Sequence, residues 1–170
     1  MDQFDRHMPT MMTRMTVLQM NVAELSEELL RHARLTPELC FQRVSPGTLA
    51  SNEFDVAVFQ TDDGLRSEIA RPLCGDPILA PRVAGISPEW SRCRDLIASI
   101  QLRRATLKKV IDTLIALLPE FPKSSSTLRL QTLADFCDMH ITTVSRALDN
   151  KQCATPTGLV PLRQLVAGVL

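Results

Sequence analysis

The sequence predicts a mainly α-helical fold: a helical bundle with a helix-turn-helix, preceded by a weak N-terminal helix and a connector rich in proline and glycine. Apolar residues recur at three- and four-residue spacing in separate stretches, as they do on amphipathic helices. Prolines and glycines crowd the region after the first stretch and interrupt any regular element there. These features divide the chain into residues 1–38, 39–86, 87–122 and 123–170.

The composition is that of a folded protein with a mild charge asymmetry. A chain of 170 residues with 45% hydrophobic content can bury a core, and nineteen basic residues balance nineteen acidic ones. After Gln101 nine basic residues face five acidic ones, so any polyanion binding belongs to the second half. No apolar run has the length of a membrane span, and the start MDQFDRHMPT is acidic where a secretory signal is basic. We therefore expect a soluble, cytoplasmic protein.

The cysteines and histidines predict no catalytic or metal site. Five cysteines without a C-x-x-C pair fit a reducing compartment. Cys137 and His140 have C-x-x-H spacing, but no second pair lies nearby to complete a tetrahedral zinc site. His7, His32 and His140 stand apart from any nucleophile pattern, and a glycine-rich phosphate loop is missing. We expect neither enzymatic activity nor a cofactor.

The first predicted helix extends from Met11 to Leu39. Its apolar positions are Met15, Leu18, Val22, Leu25, Leu29 and Leu30. Asn21 could equally divide it into two helices. Because the connector should decouple this segment from the rest, we expect a regulatory contact rather than a part of the main core.

The connector contains one stretch that resembles a strand. In EFDVAVFQTDDG, apolar residues alternate at Phe54, Val56 and Val58 before an Asp-Gly turn. The remainder should be a poorly packed connector or a rudimentary domain.

A long helix is predicted from Ser87 onward, with Ser87 as its cap and Pro88 at its first position. Its apolar stripe comprises Leu96, Ile97, Ile100, Leu107, Val110, Ile111, Leu114 and Leu118. PEFPKSSST should end the helix. Four cations fall largely off the stripe, where a solvated face is the simplest interpretation: Arg103, Arg104, Lys108 and Lys109.

Two short helices joined by a turn are predicted in TLRLQTLADFCDMHITTVSRALDN. The first would bury Leu130, Leu133, Ala134 and Cys137. After a break at Asp138 to His140, the second would extend from Ile141 to Leu148 and bury Val144, Ala147 and Leu148. This is a helix-turn-helix pattern, with an ordinary helical hairpin as the alternative.

The outward residues of the second helix suit DNA. They are Thr142, Thr143, Ser145 and Arg146. Small hydroxyl side chains let a helix enter a major groove, and an arginine can contact a guanine with two hydrogen bonds. We predict that this helix reads DNA.

The same region carries a longer signature. Its matching positions are Leu128, Leu130, Leu133, Ala134, Met139, His140, Thr143, Val144, Ser145 and Arg146, continued by Asn150, Lys151, Thr155, Pro156, Gly158 and Leu162. With these residues the chain resembles the sigma-54 class of bacterial RNA polymerase sigma factors. LIASIQLRRATLKKV is similar to an upstream helix of that family, VLQMNVAELSEELL to its activator-responsive first region, and EFDVAVFQTDDG to the start of its core-binding region.

The resemblance implies a transcription initiation factor that binds RNA polymerase core and promoter DNA and responds to an ATP-dependent activator. It implies that residues 1–38 are the activator-responsive part and residues 39–86 a rudimentary core-binding region. Core contacts would come from the cations of residues 87–122, namely Arg103, Arg104, Lys108 and Lys109. Promoter contacts would come from residues 123–170, through Thr142, Thr143, Ser145, Arg146 and Lys151, with Lys151 on a phosphate.

The chain also departs from the family pattern. The family's C-terminal basic box does not follow, which suggests a short, truncated or modulatory form. Gln152 replaces a tyrosine and Thr157 an arginine, and each change removes a stacking or phosphate contact. Two alternatives stay open: a stand-alone repressor, since TTVSRALDN also looks like the second helix of LacI-type repressors, and a competitor for polymerase core that reads no DNA.

Overall fold

A computed structural model describes residues 13–81, 87–118, 120–122 and 125–167. Five helices lie in these ranges: α1 (helical residues 13–19), α2 (Val22–Leu35), α3 (Pro88–Leu117), α4 (Leu130–Cys137) and α5 (Ile141–Leu148). The strands are β1 (Leu39–Gln42), β2 (Val56–Thr61), β3 (Gly64–Ile69), β4 (Asp76–Leu79), β5 (Ser125–Arg129), β6 (Gln152–Thr155), β7 (Gly158–Pro161) and β8 (Val166–Ala167). A short 3₁₀ helix, Leu162–Leu165, precedes β8.

The fold combines helices with three small sheets, so the prediction of a mainly α-helical bundle is only partly right. A four-stranded sheet has the order β3-β2-β6-β7, and β1-β4 and β5-β8 form two-stranded sheets. Most of these strands contain four to six residues and lie between prolines, glycines and turns. Such short strands give too few alternations for a reliable sequence signal.

The strand predicted in the connector is confirmed as β2. Val56 and Val58 face the core, and a tight turn at Asp62 and Asp63 leads into β3 at Gly64, whose φ is +115°. β2 also pairs in parallel with β6, which opposes Val56 to Cys153. The described residues 39–81 are therefore joined to the C-terminal part by a shared sheet, which contradicts a poorly packed connector and leaves the alternative of a rudimentary domain.

The N-terminal segment forms two helices, the second of the two predicted possibilities. Asn21 caps α2: its side chain accepts a hydrogen bond from the Glu24 backbone N–H at 2.9 Å. The Glu24 carboxylate accepts one from the Asn21 backbone N–H at 2.8 Å. This reciprocal capping box fixes the start of α2 and interrupts the predicted single helix.

These N-terminal helices are packed into the protein. Val17, Leu25 and Leu29 form an apolar cluster with Leu96 and Ile100 of α3, and all five side chains are buried. The prediction that this segment is decoupled from the rest is therefore wrong for the described residues, whereas its regulatory contact stays a prediction. The intervening prolines and glycines divide the chain into strands that fold back, which brings α1 and α2 against α3.

The long helix α3 organises the main core. Its predicted cap is confirmed, since the Trp90 backbone N–H donates to the Ser87 hydroxyl at 3.2 Å. The part of its apolar stripe from Leu107 onward packs between the four-stranded sheet and the pair α4 and α5. Buried members of this core include Val58, Leu107, Val110, Ile111, Leu114, Leu133, Val144, Leu148, Cys153, Leu162 and Leu165.

Some predicted features lie outside the described residues. They include the acidic start MDQFDRHMPT with His7, Met11 at the start of the first predicted helix, residues 82–86 of the predicted connector, and part of PEFPKSSST. Among the described helices, none is both long enough and apolar enough to cross a bilayer.

Candidate nucleic-acid interface

The helices α4 and α5 meet through a tight left-handed turn. Asp138 has φ 50° and ψ 50°, and the next backbone N–H, that of Met139, donates to the Ala134 carbonyl at 3.1 Å. Ala134 of α4 and Ala147 of α5 are fully buried. Their small side chains allow close approach of the two helices, so the predicted break and inner faces are confirmed.

His140 starts α5. Its Nδ1 accepts a hydrogen bond from the Thr142 backbone N–H at 3.3 Å and lies 2.8 Å from the Thr142 hydroxyl. Cys137, three residues earlier, is fully buried in the core, whereas His140 is exposed. No group of three potential metal ligands occurs among the described residues.

The outer face of α5 is formed by the predicted residues. Val144, Ala147 and Leu148 are fully buried. On the opposite side Thr142 is exposed, and one turn later Arg146 is half-buried. The flanking positions Thr143 and Ser145 are also half-buried, so the four residues form one continuous surface.

One edge of this surface is tied to the chain that follows α5. The Ser145 hydroxyl donates to Asp149 Oδ2 at 3.3 Å, and Asp149 Oδ1 lies 3.5 Å from Arg163 Nε. Thr142 and Ser145 thus each have an intramolecular partner that orients the hydroxyl.

The other edge of the surface borders a groove of about 300 Å³. Thr143 and Arg146 of α5 line the groove together with Arg14 of α1. The remaining residues that line the groove are Met15, Leu18, Ser99, Leu102, Arg103, Thr106, Met139 and His140. Sequence reasoning missed Arg14, because only the tertiary fold brings α1 beside α5.

Lys151 is buried, whereas the sequence predicted that it contacts a DNA phosphate. Its side chain is 1% exposed, and its Nζ donates to the carbonyls of Gln19 at 3.1 Å and Asp149 at 3.2 Å. The predicted phosphate contact requires an accessible ammonium group, whereas in this fold that group is buried and bound to backbone carbonyls. Burial, with the nearby Arg103 charge, lowers the pKa of Lys151 to about 8.

Arg103 is also interior, contrary to the predicted solvated face. It is 1% exposed, and its Nη2 donates to Asp55 Oδ1 at 2.6 Å. Asp55, likewise 1% exposed, accepts a second hydrogen bond from the Gln152 backbone N–H at 3.1 Å. Burial raises the pKa of the Asp55 carboxyl, whereas the charges of Arg103 and Lys151 and the Gln152 hydrogen bond oppose the change. A contact with polymerase would require an exposed side chain, whereas that of Arg103 lies in the interior.

The other three predicted core-binding cations remain nearer the surface. Arg104 donates to Asp76 Oδ1 at 2.6 Å, which ties α3 to β4. Lys108 donates to the Ser67 carbonyl at 3.0 Å and to Asp112 at 2.7 Å, and its side chain stays 46% exposed. Lys109 is exposed. Arg104 therefore attaches α3 to β4, and Lys108 attaches it to β3. Lys109 points to solvent.

The chain matches the family model described as "Sigma-54, DNA binding domain" over residues 84–169, just over half of its length. It is therefore a DNA-binding transcription factor. More specifically, it belongs to the sigma-54 family. The matched range begins just before α3 and extends through β8, so it contains α4, α5 and the whole outer surface of α5. A search of curated proteins gave no match.

Proposed function

We propose that this chain is a sigma-54-type transcription initiation factor whose α4 and α5 form a helix-turn-helix that reads promoter DNA. One observation carries the proposal. The second helix buries one face completely and presents Thr142, Thr143, Ser145 and Arg146 together on the other. A helix with this distribution can enter a major groove without losing its packing.

Each residue has a proposed role that follows from its place. Arg146 lies one turn after Thr142, near the centre of the outer face, and would donate two hydrogen bonds to a guanine edge. The smaller hydroxyl residues Thr142, Thr143 and Ser145 would contact phosphates or base edges. Arg14, which lines the same groove, adds a positive charge at the border of this surface.

The proposal includes RNA polymerase core as the protein partner. Support comes from family membership and from the outer side of α3, where Lys109 and the half-exposed Lys108 remain accessible. An ATP-dependent activator, expected from the resemblance, stays a prediction about the N-terminal helices.

The DNA-binding role is tested by titrating two fluorescent duplexes. The first is selected from a randomised pool for binding to the wild-type chain, and the second is its scrambled counterpart. Arg146→Ala should weaken binding of the selected duplex by roughly 1–3 kcal/mol and relax the preference at one base pair. Circular dichroism serves to verify the fold. An unchanged affinity and preference in a folded variant would exclude groove reading by Arg146.

The polymerase role requires a separate experiment. Purified polymerase core should retain the wild-type chain on a column, and Lys109→Glu should reduce that retention, because it reverses the exposed charge. DNA binding without any retention above background in low salt would favour the stand-alone repressor. Retention without binding to any duplex would favour the competitor for core.

A further inference from the structure

The ammonium group of Lys151 lies at the C-terminal ends of two helices. Its Nζ is 3.1 Å from the carbonyl oxygen of Gln19, at the end of α1. It is 3.2 Å from the carbonyl of Asp149, which follows α5, and 3.5 Å from that of Arg146 in its last turn. The last carbonyls of a helix lack partners within the helix and form the negative end of its dipole. One buried cation thus caps both helices.

The adjacent residue joins the same two segments. Asn150 adopts a left-handed conformation with φ 56°, and its side-chain amide lies 3.1 Å from both carboxylate oxygens of Glu24. Glu24 also belongs to the capping box with Asn21, so this contact reaches the start of α2. Arg103 supports the same junction, since its guanidinium donates to the Met20 carbonyl at 3.2 and 3.1 Å.

We propose that Asn150 and Lys151 are positioning residues, which fix α5 against the junction of α1 and α2. They thereby set the orientation in which Thr142 and Arg146 are presented to DNA. The link between the helices stands on the contacts above, and its effect on DNA reading rests on the proposed function.

The geometry explains why such a link matters. The helix α5 contains eight residues, and Arg146 lines a groove that is also lined by Arg14 of α1. A shift of α1 changes both the groove and the packing beside Arg146. Two hydrogen bonds from one guanidinium to one base tolerate little change in angle or distance. Loss of the link therefore reduces discrimination between sequences more than it reduces attraction to phosphates.

The first test compares Lys151→Met with Arg43→Met, a control that removes an exposed charge outside the groove. The selected and scrambled duplexes are titrated at two salt concentrations. Lys151→Met should lower the ratio of the affinity for the selected duplex to that for the scrambled duplex roughly tenfold, which is the scale of one base contact. The affinity for the scrambled duplex and the salt dependence of binding should change little. Equal weakening of both duplexes with a salt slope lower by about one unit would show a phosphate contact and overturn the proposal.

The second test needs no DNA. Asn150→Gly keeps the left-handed backbone and removes the side-chain amide that contacts Glu24. The matched control is Asp138→Gly, which also removes a side chain at a left-handed residue, in the turn between α4 and α5. Amide hydrogen exchange should accelerate about tenfold at the junction of α1 and α2 and also near the end of α5 in Asn150→Gly and in Lys151→Met. Asp138→Gly should affect only α4 and α5.

The two tests fail in different ways. If acceleration in Asn150→Gly and Lys151→Met is confined to α5, or absent, the positioning proposal is wrong whatever the DNA results are. If the wild-type chain prefers no duplex, the proposed function fails, while hydrogen exchange still decides whether the link exists. If Lys151→Met does not fold, Asn150→Gly provides both readouts.

Discussion

The buried ammonium of Lys151 should make stability depend on pH in an unusual direction. Its pKa is about 8 in the folded protein and 10.5 ordinarily, because burial and the Arg103 charge disfavour the protonated form. The negative charges of Asp55, Glu24 and Asp149 only partly oppose this effect. Between the two pKa values the unfolded chain holds a proton that the folded chain has lost. The free energy of unfolding should therefore rise with pH in this window.

The magnitude follows from the two pKa values. Each pKa unit corresponds to about 1.4 kcal/mol, so the penalty of burying the charge amounts to about 3 kcal/mol below pH 8. It is relieved progressively as the pH rises toward 10.5. The Lys151→Met variant lacks the ionisable group, so its free energy of unfolding should not show this dependence on pH.

The assay is urea denaturation of the wild type and Lys151→Met at pH 7, 8, 9 and 10. The difference in their free energies of unfolding is compared across the series. Other groups, including Cys153, whose pKa burial raises to about 12, contribute to both proteins and largely cancel. The wild type should gain up to about 1.4 kcal/mol per pH unit relative to the variant above pH 8. A constant difference from pH 7 to 10 would refute the buried, charged placement of Lys151.

Two further predictions concern packing. Leu29→Ala should lower the free energy of unfolding by about 2–5 kcal/mol, because Leu29 is fully buried against α3. A loss below about 0.5 kcal/mol would show that the N-terminal helices contribute little to the core. Asp55→Ala should cost about 3–5 kcal/mol in the same denaturation assay at pH 7, since it leaves Arg103 buried without its counter-charge. A near-neutral Asp55→Ala would indicate that solvent reaches Arg103.

The sequence was sufficient to predict those elements whose structure depends on residues close together in the chain. The helices α4 and α5, the break at Asp138 and the three buried residues of α5 were all predictable, because apolar spacing over two short helices leaves few alternatives. The cap at Ser87 and the stripe of α3 were predictable for the same reason. Of the candidate site, the outward positions of Thr142 and Arg146 followed directly from the inner face.

The sequence was insufficient where a partner lies far along the chain. Arg103 sits off the apolar stripe like a solvated residue, and its burial depends on Asp55, 48 residues away. Lys151 depends on Gln19, 132 residues away. Charge patterns report which residues are polar, but they do not report whether a distant carboxylate or carbonyl will accept them in the interior.

Reading of a guanine edge by Arg146 is tested most directly by changing the base as well as the protein. Each guanine of the selected duplex is replaced in turn by 7-deazaguanine, which lacks the N7 acceptor of the major groove. At one position the replacement should weaken binding of the wild type roughly five- to tenfold and leave the affinity of Arg146→Ala unchanged, since the variant has no donor to lose. Equal weakening of both proteins at every guanine, or no effect at any guanine, would contradict DNA reading by Arg146.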